Sequence, residues 1–287
     1  MHGNARRGIL FMVAATATFA LMDAMSRYMA ARYNVIMVVM IRYWFFAAFV
    51  LLMAARRPGG LGATITTRQP WLQALRGLLL AVEICLTVTA FLLLGLIETH
   101  ALFASFPLMI AALSGPVLGE QVGWRRWAGI GAGFVGVLIV LDPGGRVFTP
   151  GALVALAGAL VFAVYGLLTR LVARSDNATT SLFWTGTIGA LAMSVIGAFF
   201  WQPIAVEDWG WLGALSGASL LGHWLLIKSY EAAEASVVQP FAFLQLVFIA
   251  MLGVSIFGED LRANVVLGAA LVVGAGLFTL WRERAAR

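Results

Sequence analysis

The sequence predicts an all-α polytopic membrane protein, with ten transmembrane helices arranged as two inverted-topology five-helix repeats. Three observations carry that reading: the composition, the length of the apolar runs, and a self-similarity at a fixed displacement. Of 287 residues, 62% are hydrophobic and 11% charged, against about 45–50% and about 25% in a soluble domain. That leaves too little polar side chain to cover a water-facing surface. The apolar runs are about 20 residues long, the length of a helix crossing a hydrocarbon core about 30 Å thick. Strands of a membrane barrel would alternate polar and apolar residues over about ten positions, and this chain shows no such alternation.

The first run, 8–30, follows Arg6 and Arg7, as the apolar part of a signal peptide would. It is too long for one and lacks a small-x-small cleavage site, so a retained first span is expected. It carries Asp23 and Arg27 near its far end, and the second run, 34–55, carries Arg42. "RRPGGLGATITTRQP" (56–70) reads as the longest loop, rich in Gly, Pro and Thr. Runs 71–94 and 97–118 follow, the first holding Glu83 near its middle, the second His100, Ser105 and Pro107. Then come 124–141, 150–173, 179–201, 209–230 with His223, 234–257 with Gln239, Pro240 and Gln245, and 263–281. Ten spans put both termini on one side. That side collects fourteen Lys and Arg residues against four on the other, so the positive-inside rule predicts cytoplasmic termini.

The repeat is visible at a displacement of about 140 residues. Gly8, Phe19, Ala20, Arg27 and Ala30 fall on Gly151, Phe162, Ala163, Arg170 and Ala173. "WLQALRG" (71–77) falls on "WLGALSG" (211–217), and Gly119-Glu120 on Gly258-Glu259. Matches in chain order divide the sequence into 1–143 and 144–287. Five spans per copy is an odd number, so the second copy enters the membrane from the opposite side. Secondary transporters are often built this way, with the substrate site between the repeats near the midplane.

"FPLMIAALSGPVLGE" (106–120) and "VVQPFAFLQLVFIAMLGVSIFGE" (237–259) each end in Gly-Glu, and each precedes a Gly-rich span. In this the chain resembles the EamA branch of the drug/metabolite transporter superfamily, over essentially its whole length. The resemblance implies a ten-helix carrier with a cavity lined mainly by the third, fourth, eighth and ninth helices. Within that superfamily it is most similar to bacterial inner-membrane exporters of amino acids, including aromatic ones. The resemblance therefore implies an inner-membrane location and export of small amphipathic metabolites, with organic cations, drugs or nucleotide-like metabolites as the alternative.

Ionisable residues inside spans are expensive and point to function. Glu83 lies near the midplane, and the displacement places His223 at the equivalent depth of the eighth span. A carboxylate there can bind an ammonium; an imidazole can bind a carboxylate or carry a proton. Asp23 is expected either to pair with Arg42 or Arg27 or to serve the outer gate or the substrate path. Gln245, His100 and Ser105 supply further polar groups, and Phe106, Tyr165, Trp184, Trp224 and Phe241 an aromatic wall. Glu120 and Glu259 read as ties between helices or loops rather than substrate contacts. The Gly-rich fifth and tenth spans allow close helix approach, within a monomer or in a homodimer.

Other classes find little support. The net charge of +6 is scattered at span ends with no basic patch, which argues against nucleic acid. One cysteine, Cys85, permits no intrachain disulfide. There is no HExxH, CxxC or phosphate loop, so no enzyme activity, metal or cofactor is expected, only a small-molecule substrate and the lipid around the chain.

Overall fold

The computed structural model describes residues 2–119, 123–141, 149–233, 238 and 241–285. Glu120, Gln239 and Pro240 lie outside the described residues. Among those described, the secondary structure is helical, without strands. In chain order the helices are α1 (His2–Arg32), α2 (Val35–Ala55), α3 (Gly60–Ile65), α4 (Pro70–Leu94), α5 (Leu96–Phe103) and α6 (Phe106–Leu118). They continue as α7 (Trp124–Leu141), α8 (Pro150–Val172), α9 (Ala178–Gly197), α10 (Asp208–Ala232), α11 (Leu244–Phe257) and α12 (Ala263–Ala285).

Seven stretches among the described residues are long and apolar enough to cross a membrane, one of them running through α5 and α6 as Leu96–Val117. Three shorter apolar helices, Trp127–Leu141, Leu244–Phe257 and Ala263–Phe278, accompany them. The chain is therefore a multi-pass membrane protein. Its surface carries large exposed apolar side chains such as Leu93, Leu191 and Leu267, a cost in water and none in lipid.

Helix starts follow local chemistry. Asn34 and Asn177 accept hydrogen bonds from Met37 N and Thr180 N at the first turns of α2 and α9, and Thr149 does the same for α8 through Ala152 N. These caps satisfy amides that a helix start leaves unpaired. The loop expected over 56–70 contains one extra element, α3. It begins after Gly59 at φ +86° and is closed by Thr64 and Thr66 hydroxyls donating to Gly60 O and Gly62 O.

α1 packs along α10, α4 along α8 and α9, α2 along α9, and α7 along α12. At the α7–α12 crossing a Cβ on Gly268 would stand 2.5 Å from Gly136 O, and one on Gly136 2.8 Å from Gly268 O. Two backbones meet there because neither residue has a side chain. Gly136 and Gly268 are thus engaged with each other inside the chain.

One end of the bundle is stitched by Asp176, in the turn between α8 and α9. Its Oδ2 accepts from Gln73 Nε2 at 2.8 Å and from the Thr67 hydroxyl, and its Oδ1 from Arg68 N. Gln73 passes the network on to Arg76, which is 2% exposed and also donates to Thr169 Oγ1 at 2.9 Å. Desolvation pushes the Asp176 carboxyl up, but the bonds from Thr67, Gln73 and Arg68 outweigh it and hold the group below its ordinary range. At the opposite end, Asp208 takes Tyr33 Oη at 2.6 Å and Arg32 Nε at 2.7 Å.

Two outcomes follow from these contacts. Gly268→Ala should destabilise by about 1–3 kcal/mol, the cost of overpacking a closed contact; unchanged thermal unfolding in detergent would show that the helices can move apart. Asp176 has a folded pKa below the unfolded one, so its stabilisation is complete above about pH 4 and is lost as pH falls through the folded value. Asp176→Asn should therefore flatten the loss of stability on the acid side, read as unfolding temperature against pH.

Candidate functional site

The apolar stretch 97–118 does not form one continuous helix. α5 ends at Phe103, the chain turns through Ala104 and Ser105, and α6 restarts with Pro107 in its first turn. Proline has no amide to donate and a helix start needs none. Ser105 is fully buried and donates to Leu102 O at 2.6 Å, so its hydroxyl is used in mending the break. This break forms part of the wall of a cavity of about 440 Å³ bounded by α1, α2, α4, α5, α6, α8, α10, the residues just before α11, and α11 itself. That volume suits a ligand of drug size.

The wall is mostly aromatic. Phe103, Phe106 and Phe162 meet pairwise with ring centroids 4.9–5.4 Å apart, and Phe19, Phe91 and Phe243 complete the lining rings. Several wall positions are related by the repeat: Phe19 with Phe162, Glu83 with His223, Phe103 with Phe243, and Phe106 with Leu246. The sequence reading did not single out Phe19 or Phe162 as wall residues. Their signal lay in the displacement itself, since each has an aromatic or large apolar counterpart.

The polar groups are few and separate. Glu83, 5% exposed, accepts from Thr87 Oγ1 at 2.8 Å, one turn along α4. His223 shares its Nδ1 with Ser219 O at 2.7 Å and stands edge-on to Phe19 at 5.1 Å. Asp23 Oδ2 lies 3.1 Å from His100 Nε2 and 3.2 Å from Gln245 Nε2, which joins α1, α5 and α11. Arg42 lines the cavity and makes no hydrogen bond or ion pair among the described residues.

The expected pairing of Asp23 with Arg42 or Arg27 is therefore corrected. Arg27 lies one turn beyond Asp23 on α1 and reaches outward to Glu259, over the ring of Phe257 at 4.1 Å. Glu259 in turn accepts from Leu96 N at 2.7 Å and Ile97 N at 2.9 Å, the amides that open α5. A carboxylate at a helix N-terminus meets both unpaired donors and the positive end of the helix dipole. Gly95, at φ +90°, makes the one-residue reversal between α4 and α5, and a Cβ on it would stand 2.6 Å from Glu259 Oε1. Glu259 is thus a tie between elements, as expected.

The remaining expected residues lie off the wall. Tyr165 belongs to the Arg76 network, its ring 5.2 Å from that guanidinium. Trp184 donates to Ile65 O and fastens α3. Trp224 is half exposed and packs against Phe11, and Phe241 sits just outside the lining residues. Periodicity cannot separate cavity-facing from lipid-facing aromatics, because both faces are apolar.

A bundle of apolar helices around a lined cavity, with charged residues on its wall and one end tied, is an arrangement that suits a membrane transporter. The chain belongs to the EamA-like transporter family, whose pattern matches twice, over residues 6–142 and 149–281. It is 27% identical to an S-adenosylmethionine uptake transporter of Rickettsia bellii, over 92% of this chain and 90% of that one. It is 25% identical to a riboflavin transporter of Vibrio cholerae, over 98% and 95%, and 28% identical to one of Rhizobium johnstonii, over 96% and 91%. A crystal structure 17% identical in sequence shares the fold with a TM-score of 0.63, covering 99% of each chain. These relatives are named for metabolites other than aromatic amino acids, the substrates the sequence resemblance had implied.

Removing Glu259 leaves Arg27 uncompensated at 19% side-chain exposure and two amides unpaired. Glu259→Ala should therefore cost about 3–5 kcal/mol, seen as a lower unfolding temperature. Unfolding at the wild-type temperature would mean the tie contributes nothing to the folded state.

Proposed function

We propose that the chain is a secondary carrier of the bacterial inner membrane that moves metabolites joining an aromatic heterocycle to a charged or polar tail. The observation that carries this is the cavity wall itself, six phenylalanines with Asp23, Glu83 and Arg42 set among them. Rings of that kind stack on a flat heterocycle. The Arg42 guanidinium, unpaired among the described residues, suits a carboxylate, and the two acidic groups suit a cation. S-adenosylmethionine has all three features: a purine, a carboxylate, and ammonium and sulfonium centres. Riboflavin has the heterocycle and a polar chain without the charges. The substrates named for the relatives support this class over free amino acids, which would fill less of the cavity.

The architecture is read as ten spans in two inverted repeats, 1–143 and 144–287, with both termini cytoplasmic. The double family match supports it, as does the pairing of helices: α1 with α10 and α4 with α8 are repeat counterparts of each other. In this frame the Arg27–Glu259 tie closes the outer end. Asp23 and Met12 both line the cavity, so it runs along α1 for about 16 Å at 1.5 Å per residue, away from the tie. That geometry supports a state facing the cytoplasm, which alternating access would exchange for its outward counterpart. Direction in the cell follows the gradient to which the carrier is coupled.

Counterflow into proteoliposomes of purified protein tests the reading, with labelled S-adenosylmethionine and riboflavin and with phenylalanine as competitor. Exchange of either labelled compound, resisting phenylalanine, is expected; exchange of phenylalanine alone would return the substrate to amino acids. Arg42→Gln should weaken S-adenosylmethionine by about tenfold or more, at least ~1.4 kcal/mol, and riboflavin less, because only the former offers a carboxylate.

A further inference from the structure

We propose that Asp23 and His100 form a proton-binding pair at the cavity wall, and that a cationic substrate displaces the proton it holds. The inference rests on the carrier reading above and adds the ion that the carrier exchanges.

The argument begins with what His100 faces. Its Nδ1 lies 3.0 Å from Leu96 O and its Nε2 3.1 Å from Asp23 Oδ2. A backbone carbonyl only accepts, so the ring donates at Nδ1. A neutral ring then presents a lone pair at Nε2, aimed at a carboxylate oxygen that also accepts from Gln245. Two acceptors do not meet at 3.1 Å without a proton between them. The other tautomer only moves the same clash to Leu96 O. The arrangement is satisfied when the pair carries one further proton, either as imidazolium with carboxylate or as neutral imidazole with a carboxylic acid donating to Nε2. His223 shows the contrast, since one of its nitrogens meets Ser219 O and no described acceptor is paired with the other.

The surroundings make that proton consequential. Both residues are buried, 8% exposed each, and Phe91 stacks on the His100 ring at 5.2 Å and 5°. In so apolar a place the protonated pair is neutral, and the unprotonated pair is a lone negative charge. Asp23 Oδ1 accepts no hydrogen bond from the described residues, and the carboxylate borders the cavity. A substrate cation arriving there restores neutrality, so proton and cation exclude each other. On displacement the bond from the proton to Nε2 or Oδ2 breaks and the proton passes to water in the cavity.

Two of the neighbouring charges are already engaged elsewhere. Arg27 on α1 is taken by Glu259, and Glu98 on α5 by Arg262 from the start of α12. Glu83 on α4 and Arg42 on α2 line the same cavity with opposite formal charges, and α10 contributes His223 and α11 Gln245. The repeat gives a second, independent reason. The counterpart of Asp23 is Gly166, and that of His100 falls at Pro240 or Phe241. The duplicated scaffold therefore does not require the pair, which exists in one half only.

The test uses purified protein in weakly buffered detergent solution, with S-adenosylmethionine as the cationic probe and riboflavin as the neutral one. The pair predicts release of about one proton per S-adenosylmethionine bound and none with riboflavin. One-for-one competition predicts affinity for S-adenosylmethionine falling about tenfold per pH unit on the acid side. His100→Gln and Asp23→Asn, checked for monodispersity, should abolish the release. If those variants do not fold, Glu83→Gln decides: proton release that persists in it supports the pair, and release lost with it overturns the proposal. Binding that is independent of pH between 5 and 8, with no proton released, overturns the proposal while counterflow keeps the carrier reading. Absence of both binding and counterflow with every compound tested overturns the carrier reading and the pair together.

Discussion

The arrangement of the bundle depends on one carboxylate. Glu259 closes the end of α11, neutralises Arg27 of α1 and satisfies the two amides that open α5. Three elements from both halves of the chain meet at a single side chain. Each partner alone would be costly in a medium that offers no water: a guanidinium at 19% exposure, a carboxylate at 12%, and a helix start without a cap. Together they form a layer at one end of the cavity. Gly95 makes room for it, since any side chain there would occupy the carboxylate's place.

A layer of this kind is suited to a carrier because it is strong as a set and made of parts that can separate. It is polar, so its strength depends on exclusion of water. Water admitted to that end would weaken all its bonds at once, as the proposed alternating access requires. The Gly136–Gly268 contact between α7 and α12 has the opposite character, an apolar backbone approach suited to a fixed frame.

Much of this was legible in the sequence, and the limits are physical. Helix positions followed from apolar run lengths, and the tie role of Glu259 from a carboxylate at a span end. Glu83 and His223 were placed at the cavity by depth and displacement, and both line it. The partner of Asp23 was not legible. Spacing put Arg27 one turn away and Arg42 at similar depth, but a pair forms only where helices adjoin and side chains point the same way. α1 adjoins α5 and α11 at that level, so His100 and Gln245 reach Asp23. Tyr165, Trp184 and Trp224 escaped for another reason. On a helix apolar all round, nothing in the sequence marks which face meets lipid and which meets a cavity.

The central proposal is that the cavity faces the cytoplasm while the Arg27–Glu259 layer closes the other end. Labelling from each side of the membrane tests it most directly, using Leu226→Cys, a wall position on α10, with Cys85 replaced by serine. A membrane-impermeant maleimide should react rapidly from the cytoplasmic face in inverted vesicles and slowly from the outer face, with bound substrate slowing the reaction. Faster labelling from the outer face would contradict the account.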